Sequence, residues 1–205
     1  MNMEGYLVGE YFLAVIGTAL WYYLPAYFSN GGAVIGGRIW NKPIDGGKSR
    51  ADGTRILGDG KTWGGLIFGT FVGFLVGAVE LMLLPYLSSL NSLIPHVASE
   101  FSNVIEYDWP YFILIRATLA GFGALFGDIV KSYFKRKRRI GRGEKFFPWD
   151  QLDFILGSTL FMLPFAIQVG INFLWAFLFM IIVTPPIHLG VNMIAYKAGL
   201  KDKPW

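Results

Sequence analysis

Long apolar stretches alternate with polar segments along this chain of 205 residues. A helix that crosses a bilayer needs roughly 20 mostly apolar residues, and five stretches come close to that length or exceed it. We therefore predict an all-α membrane protein with five transmembrane helices, in agreement with its mean hydropathy of +0.46. The predicted helices cover about residues 6–28, 66–87, 111–130, 152–169 and 173–196.

Two polar loops, at about residues 29–65 and 131–150, follow the first and third predicted helices, and we assign residues 1–205 to one membrane domain. Of the 18 lysine and arginine residues, only Arg116 lies outside these loops and the C-terminal tail. Cytoplasmic loops of membrane proteins carry an excess of basic residues. We therefore predict a multi-pass protein of the cell membrane, with its N-terminus outside and its C-terminus and both loops in the cytoplasm.

The net charge of +4 does not indicate a nucleic acid partner. The predicted topology places the cations at the inner leaflet, where anionic headgroups and soluble nucleotides are available. The expected partners are therefore the membrane bilayer and a small anionic substrate, and no protein partner is indicated. The chain has no cysteine, which excludes disulfides, thiolate metal sites and cysteine nucleophiles.

The first polar loop is rich in glycine, which allows backbone N–H groups to approach an anion closely. Glycine alone favours a flexible linker. In this loop, however, the glycines are interleaved with Asp45, Asp52, Asp59 and several cations. That mixture favours a ligand-binding loop over a simple tether.

The end of the third predicted helix carries a dense acid and base motif. Lys131, Ser132, Lys135 and Arg136 follow Asp128 at offsets of three, four, seven and eight. If the helix continues, these offsets place them on one broad face. Arginine can bind phosphate through two hydrogen bonds and lysine acts as a point charge, so the face suits a phosphate ligand. An anchor to the inner leaflet is the alternative for the basic run alone.

Three carboxylates flank this basic run. Asp150 and Asp153 lie in the first turn of the fourth predicted helix, and Asp128 precedes the run. Hard divalent cations prefer carboxylate oxygens, and Mg²⁺ commonly completes its shell with substrate phosphates. The three residues are therefore candidate Mg²⁺ ligands. Helix capping combined with ion pairs to the adjacent cations is the alternative.

These motifs resemble the signature of the phosphatidate cytidylyltransferase superfamily. Ser132 matches the serine of that pattern, Lys135 and Arg136 match its basic pair, and Asp150 and Asp153 match its acidic pair. The run from Lys61 through Thr62, Trp63 and Gly64 to Gly65 resembles a second segment of the same superfamily.

The chain departs from that pattern at two places. Gln151 stands where the superfamily has arginine, and Phe147, Pro148 and Trp149 replace a His-Gly-Gly segment. With these departures, its short length and its segment Arg55–Trp63, the chain resembles one branch of the superfamily. That branch makes the CDP-activated form of an ether lipid. The resemblance implies transfer of CMP from CTP to 2,3-bis-O-(geranylgeranyl)-sn-glycerol 1-phosphate, release of pyrophosphate and use of Mg²⁺.

The resemblance also implies a set of site residues in both loops. The implied catalytic residues are Asp128, Lys131, Lys135, Arg136, Asp150 and Asp153, with the three acids as the metal ligands. The implied substrate-binding residues are Asp45, Asp52, Arg55, Asp59, Gly60, Lys61, Thr62, Ser132 and Arg138. His188 is a weaker candidate that the resemblance does not imply, because a lone histidine close to Pro185 and Pro186 is more often structural.

Other functions remain open at this point. A phosphatidate cytidylyltransferase acting on ester lipids would use the same motifs. A CDP-alcohol phosphotransferase would need an Asp-Gly-x-x-Ala-Arg segment, but Asp52 and Gly53 are followed by Thr54, Arg55 and Ile56. A small channel or transporter would place charges at the middle of the bilayer, whereas the charges here concentrate at one surface.

Three charged residues nevertheless lie within predicted helices: Glu10, Glu80 and Arg116. A rise of about 1.5 Å per residue places all three at a similar depth. We predict an interhelical ion cluster that faces the interior of the bundle, with an ion or proton path as the alternative.

Overall fold

The protein is a bundle of α-helices in the computed structural model, which describes residues 3–89, 110–141 and 143–199. The predicted all-α membrane fold is confirmed, although most of the predicted outer segment between the second and third helices lies outside the described residues. The assignment of the whole chain to one domain stays a prediction. In chain order the helices are α1 (Met3–Ile39), α2 (Trp63–Ser89), α3 (Pro110–Lys137), α4 (Trp149–Val169) and α5 (Ile171–Lys197).

Four of the described helices are long and apolar enough to cross a membrane: Val8–Ile39, Trp63–Tyr86, Tyr111–Lys137 and Ile171–Ile194. Large apolar side chains cover the outside of the bundle, including Leu20 and Ile182. A lipid environment tolerates such a surface because the helices satisfy their own backbone hydrogen bonds. The chain is therefore a multi-pass membrane protein. The remaining helix, α4, packs against α3 and α5, and the chain turns at Gly170 between α4 and α5.

The first helix is longer than predicted, because it ends at Ile39 and not near residue 28. The glycines that begin the predicted loop are helical and allow α1 and α2 to pack closely. A side chain at Gly36 would collide with the Gly64 backbone and with Phe68. Small residues at such a contact let two helix backbones approach closely in a membrane, so these glycines serve packing, and the polar loop begins at Trp40.

The third helix is also longer than predicted and continues beyond residue 130 to Lys137. Lysine and arginine are good helix formers, and positive charge in the last turn interacts favourably with the helix dipole. The last turn holds Lys135, Arg136 and Lys137. The extension keeps the residues from Asp128 to Arg136 on one continuous helix.

Two of the three residues of the predicted ion cluster, Arg116 and Glu80, are paired in the interior of the bundle. Arg116 Nη2 lies 2.9 Å from Glu80 Oε2, and both side chains are almost completely buried. Arg116 also donates a hydrogen bond to the Trp21 carbonyl oxygen at 3.0 Å and lies over the Tyr22 ring. Glu10 precedes Trp21 on α1 by a distance of about 16 Å at the helical rise. The prediction that Glu10 joins this pair was therefore wrong.

Both polar loops lie at the same end of the bundle. Arg139, which follows α3, donates a hydrogen bond to Asp52 of the first loop, and Arg50 donates one to the Tyr133 carbonyl oxygen. Arg50 also lies over the Tyr133 ring, with its guanidinium 4.9 Å from the ring centre. These contacts bring the two segments that carry the sequence motifs into one surface.

Candidate active site

Three carboxylates surround the ammonium group of Lys131. Its Nζ atom lies 2.8 Å from Asp153 Oδ2, 2.9 Å from Asp128 Oδ1 and 3.5 Å from Asp150 Oδ1. Asp153 is buried, with 8% of its surface exposed. The three acids implied by the resemblance are therefore gathered at one point, and they are held there by a lysine of the same motif. We name these four residues the carboxylate cluster.

Close packing of α3 and α4 brings the carboxylate cluster together. A side chain at Gly127 would collide with the Asp153 carbonyl oxygen, and one at Gly157 would come within 2.9 Å of the Gly127 backbone. The two glycines therefore let the helix backbones approach much more closely than any other residue would allow. This approach places Asp128 and Lys131 of α3 beside Asp153 of α4.

The carboxylate of Asp150 is fixed by groups on both sides. Its Oδ2 atom accepts a hydrogen bond of 2.7 Å from the Phe146 backbone N–H. Lys135 Nζ lies 3.2 Å from each of its two oxygens and also donates to the Glu144 carbonyl oxygen. Lys135 is buried, so it ties the segment that precedes α4 to α3.

The first loop reaches the carboxylate cluster through Lys61. Lys61 Nζ lies 2.7 Å from Asp128 Oδ2, so Asp128 is shared between Lys61 and Lys131. The next residue, Thr62, is buried and accepts a hydrogen bond of 3.1 Å from the Gly65 backbone N–H through its hydroxyl oxygen. That is the geometry of a helix N-cap. Thr62 therefore starts α2, and this start positions Lys61.

Asp45 organises the first loop from within. Its carboxylate accepts hydrogen bonds from Arg55 at 2.8 Å, from the Leu57 N–H at 3.0 Å and from the Gly47 N–H at 3.0 Å. Burial raises the pKa of Asp45, but these hydrogen bonds outweigh burial and hold the pKa below its usual value. Only 2% of the side chain is exposed, so its predicted contact with substrate stays a prediction.

Asp52 fixes the tip of the same loop. It accepts hydrogen bonds from the Thr54 hydroxyl at 2.6 Å and the Thr54 N–H at 3.1 Å. These bonds are the main reason that the pKa of Asp52 lies below its usual value, and the nearby Arg139 guanidinium lowers it further. Asp52 therefore joins the first loop to the segment after α3.

A cationic cavity of about 340 Å³ opens between the two loops. The buried Nε groups of Arg55 and Arg136 have no hydrogen-bond partner among the described residues. A buried donor without a partner costs free energy, and an anion in this cavity could satisfy both donors. Six predicted site residues line the cavity: Arg55, Asp59, Gly60, Lys61, Ser132 and Arg136.

The sequence interpretation missed Arg139 as a candidate for this site. Arg139 lines the cationic cavity, although the basic run had been interpreted around Lys135 and Arg136. Arg139 has a positive φ of 58°, which turns the chain back across the end of α3. The sequence carried no signal for this turn, because an arginine occupies the left-handed position that a glycine commonly takes just after a helix.

Two further candidates lie away from the cationic cavity. Arg138 places its guanidinium 5.3 Å from the centre of the Phe146 ring, on a different side of α3. His188 lines a second cavity of about 350 Å³ that the carboxylate cluster also borders. Its Nδ1 atom lies 3.1 Å from the Asn192 amide nitrogen. The structure thus brings His188 closer to the candidate site than the sequence alone indicated.

The carboxylate oxygens of the cluster suit a hard cation, although their spacing is not that of a preformed metal site. Among the described residues, no group of three or more acidic or histidine side chains has the spacing of a metal centre. The carboxylates instead converge on the Lys131 ammonium at 2.8 to 3.5 Å. The position already holds positive charge, and carboxylate oxygens are the ligands that Mg²⁺ prefers.

Comparison with known proteins identifies the family. The family described as CarS-like, CDP-archaeol synthase, matches residues 12–205. The chain is 41% identical over 191 residues to CDP-archaeol synthase of Thermococcus gammatolerans, covering 91% of this chain and 95% of the relative. It is 42% identical over 185 residues to the enzyme of that name from Methanosarcina barkeri, covering 89% and 99%.

A solved structure agrees with this assignment. It belongs to a protein described as an intramembrane enzyme for archaeal membrane lipids biosynthesis. It is 28% identical to this chain, has a TM-score of 0.58 and covers 85% of this chain and 92% of its own. The resemblance stated from the motifs is confirmed, because a family match over nearly the whole length is joined by relatives of about 40% identity. The chain belongs to the CarS-like family of CDP-archaeol synthases.

Proposed function

We propose that the protein transfers CMP from CTP to 2,3-bis-O-(geranylgeranyl)-sn-glycerol 1-phosphate. The products are unsaturated CDP-archaeol and pyrophosphate, and the reaction belongs to ether phospholipid biosynthesis. One structural observation supports this proposal in addition to family membership. A cationic cavity is joined through Lys61 to a carboxylate cluster at one end of a membrane bundle. A nucleotide from water and a phosphate on a lipid can meet at such a place.

The cationic cavity is the proposed binding site for the CTP triphosphate. Lys61, Arg55, Arg136 and Arg139 supply positive charge around it. The buried Nε donors of Arg55 and Arg136 that lack a partner in the described residues would bind phosphate oxygens. Arginine suits this role because charged hydrogen bonds to phosphate are short and strong. Asp45 and Asp52 act indirectly in this proposal, since they order the loop that presents Arg55 and Lys61.

The reaction needs no protein nucleophile. An oxygen of the lipid phosphate, already an anion at neutral pH, attacks the α-phosphorus of CTP. The bond between that phosphorus and the oxygen bridging to the β-phosphate breaks, and pyrophosphate leaves with the electron pair. The protein contributes position and charge. Lys131 and Lys135 lie within the site and can stabilise the charge that develops on the transferring and leaving groups.

Asp128, Asp150 and Asp153 are the proposed ligands of a divalent cation, and we assign it as Mg²⁺. Such a cation would polarise the α-phosphate and neutralise the leaving pyrophosphate. Lys131 balances the same three carboxylates in the structure. A cation held by these carboxylates would supply the positive charge that Lys131 now provides, and the Lys131 ammonium would then bind substrate phosphate.

The site is proposed to face the cytoplasm, where CTP is made. Both basic loops lie at this end of the bundle, and the excess of basic residues favours the inner face. The N-terminus would then lie outside and the C-terminus inside the cell membrane. The transporter alternative is not favoured. Deep in the bundle, Arg116 and Glu80 are buried and paired with each other, whereas the charged residues of the candidate site lie at one end of the bundle.

The test uses purified protein with Mg²⁺ and CTP that is labelled either at the α-phosphate or at the γ-phosphate. A panel of lipid phosphates would contain the geranylgeranyl ether lipid, its saturated form and a diacyl ester. We expect the α-label to enter the lipid fraction and the γ-label to appear in pyrophosphate. Entry of the γ-label into lipid, or no transfer to any lipid, would contradict the proposal. Faster transfer to the ester lipid would favour phosphatidate cytidylyltransferase activity instead.

A further inference from the structure

An acidic side chain lies within the cationic cavity. Arg55, Lys61, Arg136 and Arg139 supply the positive charge of this cavity, and among the described residues that line it Asp59 is the single acid. A carboxylate repels nearby phosphate oxygens, because like charges at short range raise the energy of the complex. The charge of Asp59 therefore opposes the binding of the anions that the surrounding cations attract.

Arg55 is held between two carboxylates that differ in how firmly they are fixed. Its Nη2 atom lies 2.8 Å from Asp45 Oδ1, and its Nη1 atom pairs with Asp59 Oδ1. The Asp45 side chain is 2% exposed and also accepts hydrogen bonds from the backbone N–H groups of Leu57 and Gly47. The Asp59 side chain is 67% exposed, and Arg55 is its one partner in the described part of the chain. Asp59 can therefore leave Arg55 at little cost, because exposed ion pairs contribute little stability.

A tight turn carries Asp59 at the open side of the cavity. The Lys61 backbone N–H donates a hydrogen bond of 3.3 Å to the Gly58 carbonyl oxygen, which closes the turn. Gly58 has a φ of 92°, a conformation that glycine adopts without strain. A Cβ atom at Gly58 would lie 3.5 Å from Arg136 Nε. The turn thus lies beside Arg55 and Arg136, the two arginines whose buried Nε donors lack a partner among the described residues.

We propose that Asp59 is a displaceable counter-ion of the phosphate site. When no anion is bound, its carboxylate pairs with Arg55. A bound triphosphate displaces this carboxylate and accepts the hydrogen bond from Arg55 Nη1, while Asp45 keeps its contact with Nη2. When the anion leaves, Asp59 pairs with Arg55 again. The proposal rests on the proposed function and adds a residue that limits how tightly the site holds phosphate.

The counter-ion helps the reaction at the release of pyrophosphate. The cations that bind the triphosphate of CTP also bind the pyrophosphate formed from it, since both groups offer the same kind of oxygen atom. Binding that is equally strong in the substrate complex and in the transition state does not speed the chemical step. Slow product release, however, limits the turnover of many enzymes. By competing for Arg55, Asp59 weakens the binding of pyrophosphate and shortens the time that it stays in the site.

The sequence predicted a direct contact between Asp59 and substrate, and such a contact has a different consequence. A carboxylate that accepts hydrogen bonds from the sugar hydroxyl groups or the amino group of CTP would strengthen the binding of CTP. Inorganic pyrophosphate has neither of these groups, so its binding would gain nothing from the contact. The two roles of Asp59 therefore predict different affinities for pyrophosphate.

The first experiment measures the binding of inorganic pyrophosphate by calorimetry, with the full protein in detergent and EDTA to remove divalent cations. Asp59→Asn removes the charge and keeps the size of the side chain. Its Kd for pyrophosphate should be at least ~3-fold lower than that of wild type, the scale of losing an exposed charge interaction. Asp59→Ser, a second neutral variant, should show the same shift, and Asp59→Glu should stay close to wild type. An equal or higher Kd in both neutral variants would overturn the proposal.

Asp45→Asn is the matched comparison, because both acids pair with the same guanidinium group. Loss of the Asp45 charge loosens Arg55 and the surrounding loop, so the Kd for pyrophosphate should rise. The two substitutions remove the same charge and should therefore shift the affinity in opposite directions. An equal decrease of Kd in Asp45→Asn and Asp59→Asn would show a general effect of net charge, and it would overturn the specific role of Asp59.

Salt dependence separates this electrostatic role from a change of loop structure. An exposed charge is screened by salt. The difference in Kd for pyrophosphate between wild type and Asp59→Asn should therefore shrink as the salt concentration is raised. A difference that stays constant at all salt concentrations would contradict the role of Asp59 as a counter-ion.

The second experiment measures CMP transfer and its inhibition by pyrophosphate. Asp59→Asn should have a lower KM for CTP and a Ki for pyrophosphate at least ~3-fold below that of wild type. A higher KM for CTP with an unchanged Ki for pyrophosphate would overturn the proposal and assign Asp59 to direct contact with CTP. If Asp59→Asn binds pyrophosphate more tightly but neither protein transfers CMP to any lipid, the counter-ion stands and the proposed function fails.

Discussion

Lys61 Nζ and Asp128 Oδ2 lie 2.7 Å apart, so the first polar loop is paired directly with α3. Lys61 also lines the cationic cavity, and Asp128 belongs to the carboxylate cluster. One ion pair therefore connects the proposed nucleotide surface with the proposed metal ligands. The pair is partly shielded from water, with exposed side-chain fractions of 20% and 28%, and such pairs are screened less by salt than exposed ones.

The close approach of α3 and α4 should be essential for activity. Gly127→Ala would place a methyl group against the Asp153 carbonyl oxygen. The helices would have to move apart, at a typical cost of about 1–3 kcal/mol for overpacking. We expect a lower Tm and at least ~10-fold less CMP transfer.

Gly190→Ala is the control for this experiment. A Cβ atom at Gly190 would meet no other atom within 4 Å, and alanine is the better helix former. We expect wild-type activity and an equal or higher Tm. Equal activity of the Gly127 and Gly190 variants would show that this helix contact does not position the site.

The three carboxylates should each be needed for CMP transfer. We expect Asp128→Asn, Asp150→Asn and Asp153→Asn to lose ~100-fold or more of kcat, the scale of losing one strong electrostatic stabiliser. EDTA should abolish wild-type activity, and Mg²⁺ should restore it. Glu10→Gln is the control, because Glu10 lies on α1 far from the loops. Full activity in Asp150→Asn and Asp153→Asn would reduce this acidic pair to a structural role.

Asp45 should act on stability and not on chemistry directly. Asp45→Asn weakens charged hydrogen bonds to Arg55 and to the loop backbone, and charged hydrogen bonds are stronger than neutral ones. We expect a lower Tm and a modest rise in the KM for CTP. A large fall in kcat at an unchanged Tm would contradict this role.

The Tm difference between wild type and Asp45→Asn should depend on pH, because the pKa of Asp45 is depressed. A carboxyl group whose folded pKa is lowered stabilises the protein above its unfolded pKa of about 3.9. The stabilisation is lost as the pH falls through the folded pKa. The Tm difference between wild type and Asp45→Asn should therefore stay constant from about pH 8 to 5 and shrink below about pH 4. A difference that grows in acid would contradict this account.

The proposed orientation can be tested in spheroplasts. A tag at Asn2 should react with a membrane-impermeant reagent in intact spheroplasts, whereas a tag after Trp205 should react only after permeabilisation. The reason is the excess of basic residues in both loops and in the tail, which favours the cytoplasmic face. Equal accessibility of the two tags would contradict the five-helix topology.

The apolar stretches were sufficient to predict the helices, but their ends depended on contacts that a linear pattern does not show. Glycine is a poor helix former, so the run that includes Gly36 and Gly37 was assigned to a loop. In the structure those residues are helical, and Gly36 packs against α2. The favourable packing between two helices outweighs the local preference of glycine.

The candidate site, like the helix ends, could be predicted from the sequence only in part. The spacing of Asp128, Lys131 and Lys135 correctly predicted a shared helix face, since α3 continues through them. Spacing could not reveal that Lys131 would lie among three carboxylates, because two of them come from another helix. Arg139 was missed for the same reason, since its place in the cationic cavity depends on a turn after α3.

The central claim is that the cationic cavity binds the CTP triphosphate beside the carboxylate cluster. The most direct measurement compares three variants, Lys61→Ala, Arg136→Ala and Lys137→Ala. For each variant, the Kd for CTP and the rate of CMP transfer to the same lipid substrate are measured. Lys61 and Arg136 line the cavity, whereas Lys137 does not contribute to its described lining.

A contact with substrate phosphate is short and poorly screened, whereas surface charges more than about 8 Å apart are largely screened at physiological salt. The account therefore predicts at least ~10-fold weaker CTP binding and slower transfer for Lys61→Ala and Arg136→Ala, with near wild-type values for Lys137→Ala. Equal CTP affinity and equal transfer rates in all three variants would contradict it.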